Sequence, residues 1–271
     1  MVRRLLFVGV LLLASLLGAC QAPELPKMPE LPTLPSLPDI PESLRDLPGL
    51  IGELGLPDLS QIPNLPQLKD LPGLQTPPGA IVYNGPTERR VDVGQRVPGT
   101  DFLLTAVTDS GAEFHIAGLR SIRSIGDSLD FDGNWPSSSG LDYNLRLRIY
   151  YLGSNYIRAA GVHRLVVRDV QPVQADVAVT DNTLKFPFTV SAQSGQSFPG
   201  MTLGYVGEAD RGGEISGLPS GDYPYFKVGD SMSWKGYIRP NIAAEYNIRM
   251  LYYDANSARV GGVVTLALPN N

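Results

Sequence analysis

The chain is poor in the residues that do most covalent and metal chemistry: of 271 residues one is cysteine, Cys20, and two are histidine, His115 and His163. A single cysteine excludes an intrachain disulfide, and one cysteine with two histidines supplies no zinc-ligand spacing. Basic charge is also scarce, with 22 lysines and arginines against 27 acidic residues and a net charge of −5. Eight of the acids and three of the bases fall between residues 20 and 79, which leaves the remainder nearly balanced. No basic field exists for nucleic acid or anionic lipid, so no nucleic-acid partner is expected. The long apolar run is Leu5–Leu17, short of the roughly 20 residues a spanning helix needs. Beyond residue 80 no stretch carries the period of an amphipathic helix.

The apolar run follows a basic start, Arg3 and Arg4, and ends in small residues before the cysteine, the layout of a secretory signal. The segment Leu17-Gly18-Ala19-Cys20 resembles the lipobox of bacterial lipoproteins. The resemblance implies that residues 1–19 are a signal peptide, that the Cys20 thiol takes a diacylglyceryl group, and that the new amino terminus is acylated, palmitate being a usual chain. Two or more acyl chains hold a protein stably on a membrane. Gln21 stands where many inner-membrane lipoproteins carry aspartate, which favours the outer membrane. The resemblance covers about the first twenty residues and speaks to location, not activity.

Residues 20–79 repeat with a period of three. Prolines recur from Pro23 to Pro41, in step with Leu25, Met28, Leu31, Leu34, Leu37 and Ile40; the apolar stripe resumes, shifted by one residue, at Leu44, Leu47 and Leu50 and, after Glu53, runs through Leu56, Leu59, Ile62, Leu65, Leu68, Leu71 and Leu74. Polyproline II has three residues per turn, so prolines line one edge, large apolar side chains another, and polar residues the third. Frequent proline forbids a continuous α-helix. At about 3.1 Å per residue the segment reaches on the order of 180 Å when extended. A pure spacer has no need of an apolar side chain at nearly every third position. The stripe is therefore expected to dock, either on a partner or on the β-domains of the same chain, and it also allows the stalk to bundle with itself.

From Ala80 the chain repeats with an offset of about 101 residues. Gly94-Gln95-Arg96-Val97-Pro98-Gly99 returns as Gly195-Gln196-Ser197-Phe198-Pro199-Gly200, and Tyr143-Asn144-Leu145-Arg146-Leu147 as Tyr246-Asn247-Ile248-Arg249-Met250. Alternation such as Tyr143, Leu145, Leu147, Ile149 against Asn144, Arg146, Arg148, Tyr150 is the signature of a strand with one buried face. The expected fold is all-β: two tandem antiparallel β-sandwich domains, 80–175 and 176–271, immunoglobulin-like in general architecture, after an extended proline-rich stalk.

Three groups of residues bear on chemistry. Gly126-Asp127-Ser128-Leu129 spells the signature of the GDSL esterases, but neither histidine has an aspartate three positions before it, and the second copy keeps Gly229-Asp230-Ser231 with no histidine after it. A shared turn accounts for both. Asp127, Asp130, Asp132 and Asn134 make an oxygen-rich cluster that lacks the glycine and distant glutamate of a calcium loop, and the second copy does not keep it. Trp135, in a turn-like context, and the paired tyrosines represented by Tyr150 and Tyr252 are candidates for stacking on a sugar, while Trp234 reads as core. Neither metal nor cofactor is expected. The sequence predicts a non-catalytic, lipid-anchored envelope protein that acts by binding, with an envelope protein complex as partner or, alternatively, cell-wall glycan.

Overall fold

Period-two alternation becomes strand throughout the duplicated region. The computed structural model describes residues 62–72, 76–136, 138, 140–180 and 182–269. Residues 1–19, expected from the lipobox resemblance to be a signal peptide, together with Cys20 and the stripe residues Leu25, Met28, Leu31, Leu34, Leu37, Ile40, Leu56, Leu59 and Leu74, lie outside them. Among the described residues there is no α-helix, and the protein is all-β with antiparallel sheets of sandwich type.

The first copy contains β1 (Ile81–Asp92), β2 (Leu103–Thr108), β3 (Gly111–Ile116), β4 (Leu119–Arg123), β5 (Ser128–Asn134), β6 (Leu141–Leu152) and β7 (Tyr156–Val167). They form a large sheet in the order β1-β7-β6-β5 and a small one in the order β2-β3-β4. After a linker strand, β8 (Val173–Gln174), the second copy repeats the plan with β9 (Thr183–Gln193), β10 (Gln196–Ser197), β11 (Gly204–Ala209), β12 (Gly212–Ser216), β13 (Tyr225–Phe226), β14 (Ser231–Arg239), β15 (Ile242–Tyr253) and β16 (Ser257–Ala267). Its large sheet runs β8-β14-β15-β16-β9 and its small one β10-β11-β12-β13. The layering is that of a sandwich, but the strand order is two meanders in which the first strand closes on the last, not the Greek-key order of immunoglobulin domains.

Burial follows the pleat. On β6, Leu141, Tyr143, Leu145, Leu147 and Ile149 are buried on the inner face while Arg146, Arg148 and Tyr150 are only half-buried on the other. The inner faces of both large sheets share one continuous core with residues of the small sheets, among them Leu104, Phe114, Tyr205 and Ile215.

The two copies meet through side chains and do not merge into one sheet. β1 and β9 are edge strands, and each carries a proline in its interior, Pro86 and Pro187, at matching places in the repeat. Proline has no N–H to donate, so it is tolerated on an edge and blunts pairing there. The edges cross closely instead: a Cβ on Gly85 would lie 2.5 Å from the Pro187 ring, which only glycine avoids.

One sequence match is displaced in space. Bulges fall between Ile149 and Tyr151 and between Met250 and Tyr252, and Leu147 faces Gly161 as Ile248 faces Gly262. Tyr246 is therefore the counterpart of Leu145, two residues along the strand from the place its motif partner Tyr143 takes. A shift of two residues preserves the face, so both tyrosines point inward. Each keeps its tryptophan edge-on, Trp135 at 5.1 Å from Tyr143 and Trp234 at 5.6 Å from Tyr246.

Candidate functional site

The described end of the stalk lies against the outer face of the first large sheet. Arg164 on β7 donates from Nη1 to the Pro72 carbonyl at 2.8 Å. Leu71 is only 5% exposed and Pro66 is buried, while Ile62 and Leu65 are half-buried. The period-three stripe is broken here by a 3-10 turn, Leu68–Asp70, in which the Asp70 carboxylate accepts the Gln67 N–H at 2.8 Å. The turn leaves Leu68 41% exposed. Val162 and Val166, two residues either side of Arg164 on the same face of β7, are buried as well. Burial lowers the Arg164 pKa from its ordinary value, with Asp142 acting the other way. A guanidinium in such a place needs acceptors, and the stalk backbone supplies one.

Between the copies runs a seam of buried polar and aromatic groups. The hydroxyls of Tyr83 and Tyr246 are 2.6 Å apart, and burial raises the pKa of both. His163, fully buried, stacks on Phe186 of the other copy at 4.1 Å. Arg89 Nη2 stands 3.4 Å from His163 Nδ1, and the Tyr143 hydroxyl 3.5 Å from the same atom. Burial first, and the Arg89 charge second, push the His163 pKa well below its ordinary value, so the imidazole is neutral. A guanidinium only donates, so Nδ1 is the accepting nitrogen. Trp135 does not fit the exposed contact expected of it. It is 1% exposed, and its indole N–H donates to the Pro269 carbonyl at 3.0 Å. The turn after β5 tucks the ring under the end of the second copy, which no local pattern foretells.

The remaining sequence candidates hold surface turns and ladders. Tyr150 donates to Glu88 at 3.0 Å, and Tyr252, partly exposed, donates to Asp254 at 2.6 Å. Asp132 accepts from Arg146 and Asn144 at 2.8 Å each, and Asp130 lies 3.8 Å from Arg148. Arg146 holds the Asp132 carboxyl below the usual carboxylate range. Asp127 accepts the Ser124 N–H at 2.7 Å just as Asp230 accepts the Lys227 N–H at 2.7 Å. The Gly-Asp-Ser segments are one turn built twice.

Sequence reasoning missed an open cleft of about 500 Å³ in the second copy. One wall is the linker between the copies, which lies along β14 as β8: Gln171 N–H donates to the Ile238 carbonyl at 2.8 Å and Ala175 N–H to that of Lys235 at 3.2 Å. A Cβ on Gly236 would meet the Val173 carbonyl at 2.1 Å, so glycine is what admits the linker. The opposite wall is the loop before β13. Six residues separate Gly118 from Ile125 in the first copy, but ten separate Gly217 from Val228 in the second, and that difference was the legible signal. Leu218, Asp222, Gln174, Asp176, Ser233 and Lys235 face the space. Tyr223, 60% exposed, stands edge-on to Tyr225 at 5.5 Å, and Tyr225 carries Arg211 over its ring.

Comparison of the chain with protein-family models, curated proteins and solved structures finds no match.

Proposed function

We propose that this is a lipid-anchored protein of the cell envelope, most simply of the outer membrane, that acts by binding and not by catalysis, with the proline-leucine stalk docking along an envelope protein complex and a two-copy β-body at its end. The observation that carries the reading is the bond from Arg164 to the Pro72 carbonyl, with Leu71 buried beside it in the chain. A stalk fastened to the body at its end transmits position, which a slack tether does not. Its apolar stripe continues in sequence toward Cys20, where the lipobox resemblance supports an acylated anchor.

Two variants test the parts separately. Cys20→Ser is expected to move the protein from the membrane to the soluble fraction; retention on the membrane would remove the anchor from the reading. Cross-linking in intact envelopes is then compared between the native chain and one with Leu25, Leu31, Leu34 and Leu37 changed to serine. A defined complex recovered only with the native stripe supports docking. The same products from both forms would reduce the stalk to a spacer.

A further inference from the structure

We propose that the cleft between the inter-copy linker and the loop before β13 is a saccharide-binding site for an uncharged glycan segment. The inference rests on the β-body being a binding head and is independent of where the stalk docks.

Duplication supplies the internal control. Both copies share four large-sheet strands, yet among the described residues only the second has a strand of linker laid along its edge, and its loop is four residues longer. The extra loop residues include Pro219 and Pro224, which stiffen it, and Tyr223, the most exposed tyrosine of the described residues. Its ring stands in water edge-on to Tyr225, and Arg211 lies over the Tyr225 ring, so it is not there for the core.

The lining fits the chemistry of a sugar. Leu218 and Phe226 offer apolar surface, and Tyr223 follows Asp222, a lining residue, in the chain. A pyranose has apolar C–H faces that lie on such surface and a rim of hydroxyls that both donate and accept. Asp176 and Asp222 accept, Lys235 donates, and Gln174 and Ser233 do either. The volume lies within the roughly 300–1,000 Å³ of small-ligand sites. Charge argues for a neutral ligand: two carboxylates face one lysine, and Lys235 is already 3.3 Å from Glu245. An anionic chain would meet net repulsion, and a lipid would strand the polar walls. One side of the site is linked to the core, since the Trp234 indole donates to Thr202 at 2.8 Å and Thr202 donates to Gln174 at 3.4 Å.

The test is calorimetric titration of the full mature chain, carrying Cys20→Ser to keep it in solution, with chitotetraose, maltotetraose and cellotetraose, and with tetragalacturonate as the anionic control. At least one neutral tetrasaccharide is expected to bind. Tyr223→Ala and Asp222→Asn should each weaken it about tenfold or more, while the unfolding midpoint stays as it was because both side chains are exposed. Leu119→Ala, at the first-copy counterpart of the lining residue Leu218, should leave binding unchanged. Failure of all three neutral sugars to bind, preference for tetragalacturonate, or binding indifferent to both cleft substitutions overturns the proposal. None of those outcomes bears on the membrane release or cross-linking that tests the stalk.

Discussion

His163 is neutral in the fold because its ring is sealed between Phe186 and the first large sheet with Arg89 beside it. Its folded pKa lies below its unfolded one, so the unfolded chain takes up the proton first. Stability therefore falls as pH drops through about 6.5, at up to about 1.4 kcal/mol per pH unit, until the folded pKa is reached. Val264 takes the corresponding place in the second copy, facing Phe186 as His163 faces Gly85. His163→Val is expected to flatten the dependence of the urea midpoint between pH 7.5 and pH 5, whatever it does to the midpoint at pH 7.5. An unchanged slope would place the acid sensitivity elsewhere. The tyrosine pair gives a second residue-scale prediction. Tyr83→Phe leaves the Tyr246 hydroxyl buried without its partner and should cost about 1–3 kcal/mol, and adding Tyr246→Phe should cost less than the sum of the single changes.

Among the elements, the linker and the end of the stalk show how a segment without regular structure of its own is fixed by a sheet. Gly236→Val puts a branched side chain where the Val173 carbonyl lies, and overpacking of this kind costs about 1–3 kcal/mol. Hydrogen exchange is expected to speed up at the Gln171 and Ala175 amides, which lose β14 as their acceptor, and to change little at the amides of β16. For the stalk, Leu71→Ser removes most of the roughly 1.5–3 kcal/mol that a buried leucine contributes. Tryptic cleavage after the exposed Lys69 is expected to accelerate by about tenfold or more, since cleavage follows the population of the open segment. Equal cleavage rates would mean that the seat is held by Arg164 alone. The prolines on β1 and β9 belong to the same scale, because they keep the two facing edges from pairing and leave the copies to meet by packing.

At the scale of the whole molecule, the continuous core predicts that the two copies unfold together. A calorimetric enthalpy equal to the van't Hoff enthalpy is expected for the full chain, whereas two resolved transitions would show the seam to be weaker than either core. The duplication, the all-β class and the strand faces were legible because alternation and turn glycines act over a few residues, and β6 buries the side chains its pattern selects. The strands β1 and β4 were not, since Gly85 and Pro86 interrupt one and the other, Leu-Arg-Ser-Ile-Arg, is exposed on an edge. The displaced Tyr143 and Tyr246 motifs show the limit within a correct match: a slip of two residues leaves the face intact and moves the ring by about 7 Å, so only pairing across the sheet reveals it. By itself the sequence determined the repeat, the strand periodicity and the resemblance of its start to a lipobox. The tertiary structure decided that Trp135 is buried, that His163 meets Phe186, that Arg164 of the first sheet bonds the Pro72 carbonyl, and that the linker walls a cleft. Each of these depends on contacts between residues far apart in the chain, whose energies no local pattern contains.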